Sequence, residues 1–287
     1  MLAIVLALAS AVGYGGSDFA GGLASRSAPV IQVTLLASAV GAVVVASALP
    51  FAAFPGPTGT ALAWGFGAGV GGTLGAFALY LGFRYAAFSV VAPLSAVASA
   101  GFAVLAGLLY GERPTALALT GIALALPAIV GVSVSAGSEE AKGTSMGRRG
   151  AGVLYGLGAG AGFALVFIGL DRAGSGSGLW PVAGAAAGEL TAALIAAAAA
   201  RAFALCGGRA RLLAVIAGVT AAIGSILFFY ASHQGFLAVT AVLTSLYPAV
   251  TIVLARIVLG ERLTVLRLGG LGLAGLCVSL IAVGGTG

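Results

Sequence analysis

Charge is what this chain of 287 residues has least of: 7% of it is Asp, Glu, Lys or Arg, against 61% hydrophobic residues. A soluble domain carries about a quarter charged residues, so no aqueous surface could be covered with what is present. Histidine occurs once, at His233. The seven acidic residues form no pair within an apolar run. A catalytic site needs a convergent set of such groups, which argues against an enzyme. Cysteine is equally scarce. Cys206 and Cys277 stand far apart in no metal-type spacing, so neither a metal site nor a cofactor is expected. Alternating segments of ~10 residues are missing too, which argues against a transmembrane β-barrel.

What is present is a succession of apolar runs, each long enough to cross a bilayer, where ~20 residues suffice for a helix. Charge clusters and Pro/Gly breaks divide them into Leu2–Leu23, Val30–Phe54, Ala61–Phe83, Ala86–Tyr110, Thr115–Ala136, Gly150–Leu170, Leu179–Leu205, Arg211–Ser232, Phe236–Leu259 and Thr264–Gly284. The start, Met1 to Val12, resembles a signal-peptide core. It lacks a charged leader and the run continues to Leu23, so a retained first helix is expected. The net charge is +6, but its basic residues are scattered singly between apolar runs, which speaks for topology signals rather than a nucleic-acid surface. Eleven of the thirteen fall after odd-numbered runs, the exceptions being Arg113 and Arg172. Because Lys and Arg mark the cytoplasmic face, both termini are expected outside.

The chain also repeats itself. Gly111-Glu112-Arg113-Pro114-Thr115 returns as Gly260-Glu261-Arg262-Leu263-Thr264, 149 residues later. The same offset pairs Gly13-Tyr14 with Gly162-Phe163, Gly75 with Gly224, Tyr80 with Phe229, and Gly121 with Gly270. Two related units separated by an odd number of crossings lie upside down to one another, an arrangement found in secondary transporters. The expected fold is therefore all-α, ten transmembrane helices as two five-helix inverted repeats. Residues 1–137 form the first, 138–149 a cytoplasmic linker and 150–287 the second.

A five-helix unit that ends in Gly-Glu-Arg-x-Thr and a Gly-rich helix resembles the drug/metabolite transporter superfamily, in particular its EamA-type ten-helix exporters. The stretch from Leu246-Tyr247-Pro248 to Thr264 carries the resemblance most closely. It departs in the first unit, where Ser99 stands in place of Pro248 and the proline comes earlier, at Pro93. The resemblance implies an exporter of the bacterial inner membrane that works by alternating access through a cavity between its halves. It also implies a small-molecule substrate, with amino acids, aromatic ones included, among the candidates. Other metabolites and drugs are the alternative within the same fold.

Candidate site residues are the polar and aromatic ones at membrane depth, which normally face protein or a watery cavity. Thr240, Thr244, Tyr247 and Thr251 follow helical spacing in the ninth run, as do Thr73, Phe77, Tyr80 and Arg84 in the third, and Ser95 and Ser99 in the fourth. The competing reading of each hydroxyl is a bond to its own helix or a neighbour. Tyr14, Phe77, Tyr80, Phe163 and Tyr247 offer ring faces to an apolar or aromatic substrate. Glu189, amid alanines, is the sharpest residue. A charge there costs ~3 kcal/mol or more. It is expected either to bind a substrate amino group or proton, or to rest as a neutral acid bonded to a neighbouring helix. Protons are thus the candidate coupling ion. The expected binding set is Tyr14, Phe77, Tyr80, Ser95, Ser99, Phe163, Glu189, Thr244 and Tyr247, with Pro93 and Pro248 as hinges. Asp18 is read as an end-of-helix residue and His233 as a loop imidazole.

Overall fold

A computed structural model describes residues 1–52, 56–85, 88–134, 146–204, 206–259 and 265–284. No strand occurs among them. The helices are α1 (Leu2–Ser25), α2 (Val30–Ala52), α3 (Gly59–Tyr85), α4 (Phe88–Leu109), α5 (Ala116–Val134), α6 (Met146–Arg172), α7 (Trp180–Ala199), α8 (Gly208–Ser232), α9 (Leu237–Thr244), α10 (Tyr247–Leu259) and α11 (Val265–Gly284). Apolar sequence in a bilayer leaves the backbone no water to bond, and a helix satisfies its polar groups internally. Six of these helices are long and apolar enough to cross a membrane, and shorter apolar stretches run over Leu94–Leu109, Ala116–Ala125 and Leu237–Thr251. The linker residues 138–145, the second Gly-Glu-Arg motif and the side chains of Tyr80, Arg84 and Pro93 lie outside the described residues.

The helices follow the apolar runs to within a few residues, apart from α7, which stops at Ala199 rather than Leu205, and one further departure. The ninth run is not one helix but two, α9 and α10, separated at Ser245-Leu246. Pro248 is the cause. It has no N–H to return to the carbonyl of Thr244, and its ring crowds that carbonyl. The chain answers with tight turns, Leu246 N–H to Leu243 O at 3.2 Å and Ala249 N–H to Leu246 O at 2.9 Å. Pro248 then takes the second position of α10, where a missing donor costs nothing. The expected stripe from Thr240 to Thr251 is therefore not one continuous face.

Small residues let the backbones meet. The fully buried positions are dominated by alanine, among them Ala7, Ala24, Ala96, Ala100, Ala214 and Ala231. Large apolar side chains such as Val43, Phe51, Leu154, Ile195 and Leu212 stand on the outside, as befits a surface solvated by lipid. Glycine matters most where α1 crosses α8 and α6 crosses α3. A methyl on Gly13 would lie 2.8 Å from Gly224 Cα, and one on Gly162 would lie 2.6 Å from Gly75 Cα. The residues at these two crossings correspond under the 149-residue offset.

At the end of the bundle where α4 finishes, Gly111 adopts a positive φ of 94° and turns the chain, a conformation glycine tolerates best. Glu112 then reaches α9. Its carboxylate accepts the N–H of Leu237 at one oxygen and that of Ala238, at 2.9 Å, at the other. The sequence suggests that this glutamate favours the start of its own next helix; it caps α9 from the other half of the chain instead. Arg113 donates to the carbonyls of Leu108 and Glu112. Beside it Arg172, ending α6, lies 4.2 Å over the ring of Tyr110.

Candidate functional site

Between the two halves of the chain lies a cavity of about 170 Å³. Its walls come from α1, α2 and α3 on one side, and from α6, α7 and α8 on the other, with Tyr247 of α10 completing the lining. The wall is held by hydroxyls spent on helix contacts. Ser10 Oγ donates to Gly224 O at 2.8 Å, and Tyr14 shares a 3.0 Å hydrogen bond with Ser225. Thr251 donates to Gly15 O at 3.2 Å and Thr244 to Ala7 O at 3.3 Å, so α1 is tied to both pieces of the broken helix. Across the cavity Thr73 Oγ1 donates to the backbone carbonyl of Glu189 at 3.3 Å, which fixes where that side chain leaves α7.

The cavity surface is mostly apolar. Ala37, Ala76, Val166, Val182, Ala185 and Ala222 contribute aliphatic wall, and Tyr14, Phe163, Phe167 and Tyr247 contribute rings. The Phe167 ring lies tilted to its neighbours, 6.5 Å from Tyr14 and 4.6 Å from Phe228, centroid to centroid. Two carboxyl groups line the same space, Asp18 on α1 and Glu189 on α7. Neither makes a hydrogen bond or ion pair among the described residues. No lysine, arginine or histidine is among the described lining residues. The Tyr247 hydroxyl is buried without a hydrogen bond of normal geometry, although it faces Ser95.

Of the residues expected to bind substrate, Tyr14, Phe163, Glu189 and Tyr247 line this cavity. Ser95, Ser99 and Thr244 do not. All are fully buried in the packing behind Tyr247, with Ser99 bonded to Ala96 O and sharing a contact with Ser245. Phe77 is half-buried on α3 and does not line the cavity. Thr240 bonds back to Phe236 and Leu237 of its own turn. Pro248 is buried at the break beside Tyr247. The residue that sequence reasoning passed over is Asp18. It lies about two turns before the end of α1 at Ser25 and lines the cavity. His233, expected in a connection, follows α8 directly and its Nδ1 bonds Phe229 O at 2.7 Å.

No group of three or more metal-ligating side chains occurs among the described residues. What the arrangement can do is enclose a small, partly apolar solute and meet a polar or cationic group on it. No curated protein matches the chain in sequence. A solved crystal structure shares the fold, with a TM-score of 0.81 over 98% of this chain and 96% of that one at 13% identity. Residues 1–134, the part that supplies α1 to α5, match the EamA-like transporter family, and that match supports a place in the drug/metabolite transporter superfamily and a membrane transporter of small solutes rather than an enzyme.

Proposed function

We propose that this chain is a secondary carrier that exports small organic solutes with an amino group and an apolar or aromatic body, hydrophobic and aromatic amino acids among them. Its two halves sit in opposite senses in a bacterial inner membrane, and alternating access exposes the cavity between them to one side and then the other. The observation that carries this reading is the cavity itself, lined by both halves and walled by rings and carboxyl groups. The offset in the sequence supports it. Tyr14 and Phe163, Val33 and Val182, Ala37 and Ala186, and Thr73 and Ala222 all line the cavity, and each pair stands 149 residues apart.

Size favours a metabolite over a bulky drug. A dry cavity of ~150 Å³ accepts one benzene ring, and this one has about 170 Å³. A single ring with a short polar chain matches that space in this conformation.

Purified protein in liposomes is expected to take up labelled phenylalanine or leucine by counterflow, with a rate that saturates. Uptake that rises linearly with concentration and lacks counterflow would make it a channel instead. Equal uptake by empty liposomes for every amino acid and amine tried would remove the carrier reading altogether.

A further inference from the structure

Resting on that carrier reading, we propose that the cavity selects organic cations: a protonated amine on a single apolar or aromatic body, without a free carboxylate. Three observations lead there. Asp18 and Glu189 both line the cavity, and neither is paired among the described residues. The Tyr14 hydroxyl stands within electrostatic reach of both, so the two carboxyl groups act on one shared space. Tyr247 lines the same space, and its hydroxyl lies within electrostatic reach of Asp18.

An ammonium group carries three donors and no acceptor. The cavity offers carboxylate and phenol oxygens, and the Tyr and Phe rings add faces that attract cations. A buried carboxylate without a cation is costly, and an ammonium that binds between such groups removes that cost. The other end of an amino acid meets the opposite situation. Its carboxylate would enter a space of two carboxyl groups with no Lys, Arg or His among the described lining residues. It would lose its hydration, gain no counter-charge, and be repelled at low dielectric. The chemistry therefore ranks amine first, zwitterion second and anion last.

Three solutes that share a phenyl ring separate these cases: phenethylamine, phenylalanine and hydrocinnamate. Binding is read by equilibrium dialysis of the full-length protein in detergent, and flux by counterflow in liposomes. Phenethylamine is expected to bind at least about tenfold more tightly than phenylalanine, the size of effect a lost charge pairing gives, and hydrocinnamate is expected not to compete. Phenylalanine binding as tightly as the amine, or competition by hydrocinnamate, overturns the proposal. Asp18→Asn and Glu189→Gln should each narrow the gap between amine and amino acid, while Glu189→Asp keeps it. An equal loss for the amine and the amino acid in both variants would mean that these residues only hold the fold, and the proposal falls. The carrier reading fails separately. Saturable transport of phenylalanine with no preference for the amine leaves the carrier and sinks the cation preference. Tight amine binding without any flux does the reverse.

Discussion

Glu189 and Asp18 show how unevenly a chemical site is written into a chain. Glu189 stands among alanines in the middle of a run, so its cost in a membrane is legible at once. Asp18 lies in the last turns of the first run, with Arg26 beyond it, and so reads as an end-of-helix residue, whereas the structure places it on the cavity wall. Tyr247 was visible as a ring, but its lack of a hydrogen bond is a matter of packing that no spacing reveals. That lack makes a prediction. Removing a buried hydroxyl that makes no well-formed hydrogen bond forfeits little and relieves its desolvation. Tyr247→Phe should leave the melting temperature unchanged or raised, while weakening substrate binding about fivefold, as expected for one lost hydrogen bond of ~1 kcal/mol. A fall in melting temperature with unchanged binding would make the hydroxyl a structural one. Glu189 supports a second test. If it carries a proton in one half of the cycle, Glu189→Gln abolishes the response of flux to an imposed pH gradient, which a pyranine-loaded vesicle reports. A variant that keeps the full response takes Glu189 out of coupling.

Most helix boundaries were legible, because each is set by the length of an apolar run and a cluster of charge or proline. The break between α9 and α10 was foreshadowed as a bend at Pro248 but not as two helices, since the flanking residues are apolar throughout and periodicity cannot register a lost hydrogen bond. Pro248→Ala returns a donor to the carbonyl of Thr244. It should lengthen α9 into α10, turn Tyr247 away from its present position and lower flux several-fold at unchanged expression, a cost in the range of ~1 kcal/mol per misplaced contact. The partner of Glu112 was likewise beyond reach, because its contact is 125 residues away in sequence. A carboxylate on the first N–H groups of a helix is worth ~1–2 kcal/mol. Glu112→Ala should therefore speed hydrogen exchange at Leu237 and Ala238 by about tenfold, and Glu112→Gln should do less. Exchange at those two amides that does not change would show that α9 holds its first turn without the cap.

The two helix crossings built on Gly13 with Gly224 and on Gly162 with Gly75 are the same contact made twice, once from each half of the chain, by residues that the 149-residue offset pairs. Such a correspondence arises when two like units pack about a twofold axis, and five crossings per unit would turn that axis into the membrane plane. The reading then fixes which ends share a side. The turn at Ser175–Ser177, between α6 and α7, belongs with the start of α1 and with Glu112. The turn at Arg201, between α7 and α8, belongs with Arg26 and Arg209 on the opposite side. Basic residues concentrate on the Arg201 side, which the positive-inside bias assigns to the cytoplasm. Cys206 and Cys277 are both buried, so their reaction with a bulky thiol reagent should be slow. Gly176→Cys is therefore expected to react with a membrane-impermeant maleimide in intact cells, and Arg201→Cys only after the membrane is opened. Labelling of both from outside would place α7 on one face rather than across the bilayer, and the inverted arrangement with it would fail. Labelling of Arg201→Cys alone would keep the crossing and reverse its direction, turning the proposed exporter to face the other way.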